Sequence, residues 1–233
     1  MDESNVESRQ RHVSIISEDA GFVELLYLSR ELSWLNFNRR VLFEAENAST
    51  PLLERFKYIG IVGSNLDEFM MKRIGGLKQQ VGASVGKVSL DGRRPEQQLA
   101  DCLDDCRRFV EQMEDALESL LADAAYAGVR LLSYGQLDDE NRAYARKQFV
   151  ANVFPLLTPF VIGPTQAFPF IANLSINLLV TLQAQASSPL TYAVVKVPLG
   201  GGVLRFIPLQ DPSHFILLED VITHHLDMLF PGT

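Results

Sequence analysis

Apolar residues recur at intervals of three and four through the first half of the chain, and in alternation through parts of the second half. The first pattern predicts amphipathic helices, the second half-buried strands. Residues 33 to 48 carry Trp34, Phe37, Val41, Leu42, Ala45 and Ala48 on one stripe, with Ser33 as the N-cap. Trp34 reads as a packing anchor. Asn38 falls four residues after it, on or near the buried face, where a polar group requires a hydrogen-bond partner. A second helix is expected from Thr50-Pro51, an N-cap followed by proline at the first helical position. Leu52, Phe56 and Ile59 form its apolar face. Gly60 and Gly63 loosen it, and a turn is expected at Gly63-Ser64. Asn65 then caps a third helix, with Glu68 completing a capping box. Leu66, Met70, Ile74, Leu77 and Val81 keep helical spacing along it. After a polar, glycine-containing loop over residues 82 to 94, Pro95 opens the longest helix, which runs to about Ala127. Its stripe is Leu99, Leu103, Cys106, Val110, Met113, Leu117, Leu120 and Ala124. Gly128 is its natural stop.

Beyond residue 128 the pattern changes. Val129 to Leu132 reads as a short strand and Asp139 to Val153 as a helix. A proline-rich connector follows, Pro155 to Pro169. Leu174 to Gln185, Thr191 to Val197 and Arg205 to Leu209 read as strands, separated by turns at Ser187-Ser188-Pro189 and Gly200-Gly201-Gly202. Leu218 to Phe230 reads as a closing helix. The fold class is therefore α+β, an all-α amino-terminal domain followed by a mixed α/β region. Residues 1 to 24 form a flexible polar tail, 25 to 128 the helical domain, and 129 to 233 the second, partial domain.

Composition narrows the function classes. Hydrophobic residues make up 47% of the chain and charged residues 21%, which excludes a disordered or collagen-like protein. A net charge of −8 argues against a globally basic nucleic-acid binder. The first 20 residues lack the apolar core of a signal peptide. No stretch approaches the roughly 18 to 20 apolar residues of a membrane span, because the tract from Val153 to Pro164 is cut by prolines. The chain reads as cytosolic. Cys102 and Cys106 sit four apart on one helix face and have no company that would make a zinc site. They read as small core residues.

Few residues carry chemistry by pattern alone. Gly82 to Ser89 imitates a phosphate-binding loop, but Lys87 is followed by Val88 rather than a hydroxyl, and the segment follows a helix. His12, His214, His224 and His225 pair with no serine or cysteine nucleophile and read as surface or capping residues. The basic pairs Arg39-Arg40, Lys72-Arg73, Arg93-Arg94 and Arg107-Arg108 read as solvated helix faces or as the lining of an anion path. Asn65 offers both a donor and an acceptor. It suits either plain N-capping or contact with a purine or ribose edge, while Asp67 and Glu68 beside it would repel a phosphate.

Three blocks alter this picture. L-S-W-L-x-F-N-x-R-V-L-x-E-A from Leu32 to Ala45, P-L-x-E-R-x-x-[FY]-[LI]-G-I from Pro51 to Ile61, and N-L-D-E-F from Asn65 to Phe69 closely resemble the amino-terminal domain of bacterial polyphosphate kinases of the phospholipase-D-like type. The resemblance continues more loosely through Leu131 to Leu137 and Phe154 to Pro159 into that family's head domain. It implies an enzyme that moves the terminal phosphate of ATP reversibly onto polyphosphate, with magnesium as helper and a phosphorylated histidine on carboxy-terminal catalytic domains. It implies that Asn65 is the nucleotide contact of a helical domain that closes over ATP. It also implies a homo-oligomer, with the head contributing contacts, in the cytoplasm and peripheral to the inner face of the membrane. The family's H-x-K pattern is absent here, and its metal and phosphate-gripping residues belong to domains beyond Thr233. The expectation is thus an intact helical domain plus an unfinished head, with ATP and polyphosphate as partners, the magnesium site elsewhere, and no catalysis by this chain alone. The competing expectation is a non-catalytic helical interaction and oligomerisation module derived from such an enzyme.

Overall fold

A computed structural model describes residues 27–163, 168–183 and 188–232. The amino-terminal tail, His12, the middle of the proline-rich connector and part of the Ser187-Ser188-Pro189 turn lie outside the described residues. The chain forms two compact units, one ending at Ala116 and the other beginning at Leu117.

In the first unit, α1 spans Arg30–Glu46. It begins earlier than expected, because Ser29 rather than Ser33 is the cap. The Ser29 Oγ accepts from the Leu32 amide at 3.3 Å, and Glu31 adds negative charge to the first turn. Its buried line is Leu35, Asn38, Leu42 and Ala45. The buried line keeps Leu42 and Ala45 from the expected stripe but has Leu35 and Asn38 in place of Phe37, a rotation of less than the roughly 100° of one residue. Phe37 is 53% exposed. The large aromatics flank the seam, and smaller residues fill it where two helices approach closely.

α2 spans Leu52–Phe69, with Pro51 at its N-cap position and no side-chain cap, so Thr50 does not cap it. The helix does not turn at Gly63-Ser64. It runs on through a π-helical turn, Met70–Ile74, into α3, Gly75–Gly82. Glycine inside a helix costs only about 1 kcal/mol, and burial of Val62, Leu66 and Phe69 outweighs that. The expected N-cap at Asn65 and its capping box with Glu68 are accordingly corrected. Asn65 lies in mid-helix, and Glu68 pairs instead with Lys72 one turn on. The core of this unit joins Leu35, Leu42, Val62, Leu66, Phe69, Ile74 and Leu77 to Cys102, Cys106 and Phe109.

The last three belong to α4, Pro95–Tyr126, whose 32 residues span about 48 Å. Gly128, at φ +90°, ends it as expected. Cys102 and Cys106 are buried free thiols. Burial pushes the Cys102 thiol up to about 12.

The second unit holds two three-stranded sheets. In one, β1 (Arg130–Leu132) lies parallel to β6 (His214–Leu217), which pairs antiparallel with β5 (Phe206–Pro208). In the other, β4 (Thr191–Lys196) is central and antiparallel to both β2 (Phe160–Ile162) and β3 (Asn177–Leu182). The strand β2 sits inside the expected proline connector, at a sheet edge where neighbouring prolines are tolerated. The strand β6 directly precedes a helix and is too short to announce itself by alternation. α5, Asp139–Gln148, is capped by Asp138, whose carboxylate accepts from the Asn141 amide at 2.8 Å. It continues as a π-helical turn, Phe149–Val153. The expected closing helix is split into α6, Leu218–Thr223, and α7, Leu226–Leu229. Phe149, Val195, Ile216, Leu218 and Ile222 form the centre of this core.

His225 sits at that split and is buried, so of the surface or capping reading the surface half does not hold. Its ring stacks on Phe149 at 4.8 Å between centroids and meets Tyr134 edge-on at 5.6 Å. Its Nδ1 lies 2.8 Å from the Val221 carbonyl oxygen. A carbonyl only accepts, so Nδ1 carries the proton. His224 stacks on Tyr134 at 4.3 Å and has its Nδ1 2.9 Å from the Asp220 carbonyl oxygen.

Candidate functional site

The seam between α1 and α2 brings together the residue singled out for nucleotide contact and the polar residue that required a partner. Asn38 is fully buried. Its Nδ2 donates to the Val62 carbonyl oxygen at 3.1 Å. Asn65, half-buried, donates from Nδ2 to the Asn38 Oδ1 at 2.9 Å. Val62 and Asn65 are three apart on α2, hence on one face, and Asn38 reaches both from the facing helix. The sequence marked Asn38 and Asn65 separately. Their pairing was hidden because the expected turn at Gly63-Ser64 put Val62 and Asn65 on different helices.

One turn along the seam from this pair, Trp34 stacks on Phe69, with centroids 4.9 Å apart and planes 14° from parallel. The polar pair thus has an aromatic wall on one side. Its other flank leads along Tyr58, Ile61 and Asn65, which share a face by helical spacing. An open cleft of about 420 Å³ lies on this first unit, lined by Phe37, Arg40, Val41, Phe43, Glu44 and Tyr58. Phe37 and Phe43 are exposed there at 53% and 62%, and Ile61 on α2 is 47% exposed. Apolar walls with a few fixed polar groups are the general composition of small-molecule sites.

Each basic pair has one member tied to a carboxylate. Arg39 grips Asp105 with both terminal nitrogens, at 2.8 and 2.9 Å, and lies over the Phe109 ring. Arg93 pairs with Asp101 at 3.0 Å, Lys72 with Glu68, and Arg108 with Asp104. These four cations serve the helices' own packing and electrostatics. A second cleft of about 400 Å³, near the start of α1, is lined by Arg93, Asp101, Asp104, Asp105 and Arg108 together with Ser29 and Asn36. Its opposite charges compensate one another, which makes it a poor phosphate receptor. Among the described residues, no group of three or more His, Cys, Asp or Glu could hold a metal ion. None of the described helices is long and apolar enough to cross a membrane.

Known proteins resemble this chain along most of its length. A family model described as the polyphosphate kinase N-terminal domain matches residues 27–132, and one described as the polyphosphate kinase middle domain matches residues 140–233. A polyphosphate kinase of Synechocystis sp. is 43% identical over 218 residues, and one of Halalkalibacterium halodurans is 39% identical over 211. Both alignments cover 88% of this chain and 30% of the relative, so the chain spans about a third of their length. The crystal structure of polyphosphate kinase from Porphyromonas gingivalis superposes with a TM-score of 0.70 at 30% identity, covering 87% of this chain and 31% of that one.

Proposed function

Because the chain belongs to the polyphosphate kinase family, matching its N-terminal and middle domain models, we propose that it is the amino-terminal part of an ATP:polyphosphate phosphotransferase. In this reading the whole enzyme transfers the terminal phosphate of ATP reversibly to polyphosphate. The present chain contributes the nucleotide contact, Asn65, from its helical unit. The observation that carries the reading is the placement of Asn65. It is held at the edge of a buried polar pair, half-exposed, beside an aromatic and apolar surface.

Phosphoryl transfer rests on positioning, cationic stabilisation and a nucleophile. By family resemblance, the metal, the phosphorylated histidine and the chemical step are assigned to further domains of the enzyme; no histidine here has the H-x-K spacing. Homo-oligomerisation through the head region, and a cytoplasmic site peripheral to the inner membrane face, belong to the same proposal by family resemblance.

The test uses the 233-residue chain and a chimera in which it replaces the matching part of the Synechocystis enzyme. With labelled ATP, the chain alone should form neither polyphosphate nor phosphohistidine. The chimera should form both, and Asn65→Ala should raise its KM for ATP. Label on His214, His224 or His225 would sink the proposal, and an unchanged KM would sink the role of Asn65.

A further inference from the structure

We infer that Asn38 is a positioning residue that fixes the Asn65 amide in one orientation, and that this orientation selects an adenine edge over a 6-oxopurine edge. The inference rests on the proposed nucleotide contact at Asn65 and adds to it the residue that sets its polarity and the ligand chemistry that follows.

The polarity is decided at Val62. Its backbone carbonyl is an obligatory acceptor, so the Asn38 atom 3.1 Å away must be the amide nitrogen. The reverse orientation would set two acceptors against each other in a fully buried site, where neither could turn to water. Asn38 is thereby locked, and it presents Oδ1 to Asn65. That oxygen in turn requires a donor, which makes the Asn65 atom at 2.9 Å its Nδ2. One backbone carbonyl thus orients two side-chain amides in series. An isolated half-exposed asparagine could turn its amide over freely. Here the turned form would lose the hydrogen bond to Asn38.

The rest of the Asn65 side chain lies at a half-buried position. One Nδ2 hydrogen is committed to Asn38. The second hydrogen and the whole of Oδ1 have no partner among the described residues. The free edge is a fixed acceptor with a donor beside it. Adenine offers the complement, an exocyclic amine as donor next to a ring-nitrogen acceptor. This is the bidentate asparagine–adenine pairing. A 6-oxopurine such as hypoxanthine presents an oxygen where adenine has the amine, which sets acceptor against acceptor at Oδ1. Were the relay broken, Asn65 could turn and serve either base.

The experiment is a nuclear magnetic resonance titration of the labelled 233-residue chain with ATP and with ITP, in parallel with thermal melts. The unmutated chain should bind ATP roughly fivefold more tightly than ITP, the value of about one net hydrogen bond. Asn38→Leu fills the same space without the relay. It should bring the ATP-to-ITP affinity ratio close to one. General loosening of the fold would weaken both nucleotides alike and leave the ratio standing. A retained ratio in folded Asn38→Leu would overturn the inference and leave the role of Asn65 intact. Asn65→Ala with both affinities unchanged, or no movement of α1 and α2 resonances at millimolar ATP, would overturn the nucleotide contact itself. Should Asn38→Leu fail to fold, the unmutated chain decides. ATP must shift the Asn65 side-chain amide resonances at a roughly fivefold lower midpoint concentration than ITP, and equal midpoints would overturn the relay.

Discussion

Trp34 of α1 and Phe69 of α2 lie face to face, 4.9 Å between ring centroids, and close the end of the seam that holds Asn38 and Asn65. Phe69 is 2% exposed, so its ring has exchanged nearly all its water contact for protein. Phe69→Ala should cost about 3 kcal/mol in urea denaturation, the range for loss of a buried aromatic. Trp34 is only half-buried, and Trp34→Ala should cost less, about 2 kcal/mol. A double-mutant cycle should return a coupling of about 1 kcal/mol. Purely additive losses would show that the stack contributes area alone.

The core centred on Phe149 depends on His225 as an aromatic ring more than as a base. His225→Phe keeps the ring against Phe149 and gives up one hydrogen bond to Val221. Its stability should lie within about 1 kcal/mol of the unmutated chain. His225→Ala empties the site and should cost about 3 kcal/mol. Equal losses in the two variants would assign the stabilisation to the hydrogen bond instead of the packing. Calorimetric melts distinguish these outcomes.

Period and punctuation carried much of this architecture. Pro95 and Gly128 bracket α4 as read, and the runs at Thr191 and Arg205 became β4 and β5. Local rules failed where tertiary packing set the outcome. The stripe marked Asn38 as a polar residue on the buried face, but its partner Asn65 was read as a helix cap and not as a seam residue. Phe37 looked like core by size, yet its helix turned it outward in favour of Leu35 and Leu42. His225 looked polar, yet an aromatic cage and one carbonyl satisfied it. The strand β6 depends on a parallel partner, β1, that lies far away along the chain. Such pairing is invisible to a window of ten residues. The candidate site was legible as single residues, through family resemblance and the need of Asn38 for a partner, but not as an assembled pair.

The buried thiols give the fold a definite response to alkali. Cys102 is raised from an ordinary value of 9.0 to about 12, first by desolvation and then by the nearby Glu31 charge. Cys106 is raised as well, again chiefly by desolvation. As pH climbs past 9, the unfolded chain releases thiol protons that the folded chain retains. The unfolded state then binds fewer protons, so stability falls with pH. The contribution is complete below about pH 9 and is lost as pH rises toward 12. Urea midpoints should therefore decline across this window, and Cys102→Ala should make the decline shallower. Below that window the native thiols should resist thiol-reactive disulfides until urea unfolds the chain. Rapid labelling of the folded protein at neutral pH would contradict their burial.

Continuity of α2 can be tested at the two glycines that seemed to end it. Gly63 does not adopt a positive φ, and a Cβ built at Gly60 or Gly63 would meet nothing within 4 Å. Neither position requires glycine, for a turn or for close approach. Alanine there restricts the unfolded chain and favours the helix, so Gly60→Ala and Gly63→Ala should each stabilise the protein by about 0.5 to 1 kcal/mol. A turn at Gly63-Ser64 predicts the opposite sign, because alanine resists the left-handed backbone that glycine turns commonly use. The test also bears on the site. With the helix unbroken, Val62 and Asn65 keep a fixed spacing, and the Gly63→Ala variant should retain the Asn38–Asn65 pair. Slow exchange of the Asn38 side-chain amide protons in that variant would show the pair intact. Destabilisation together with fast exchange would restore the broken-helix reading, and with it N-capping by Asn65.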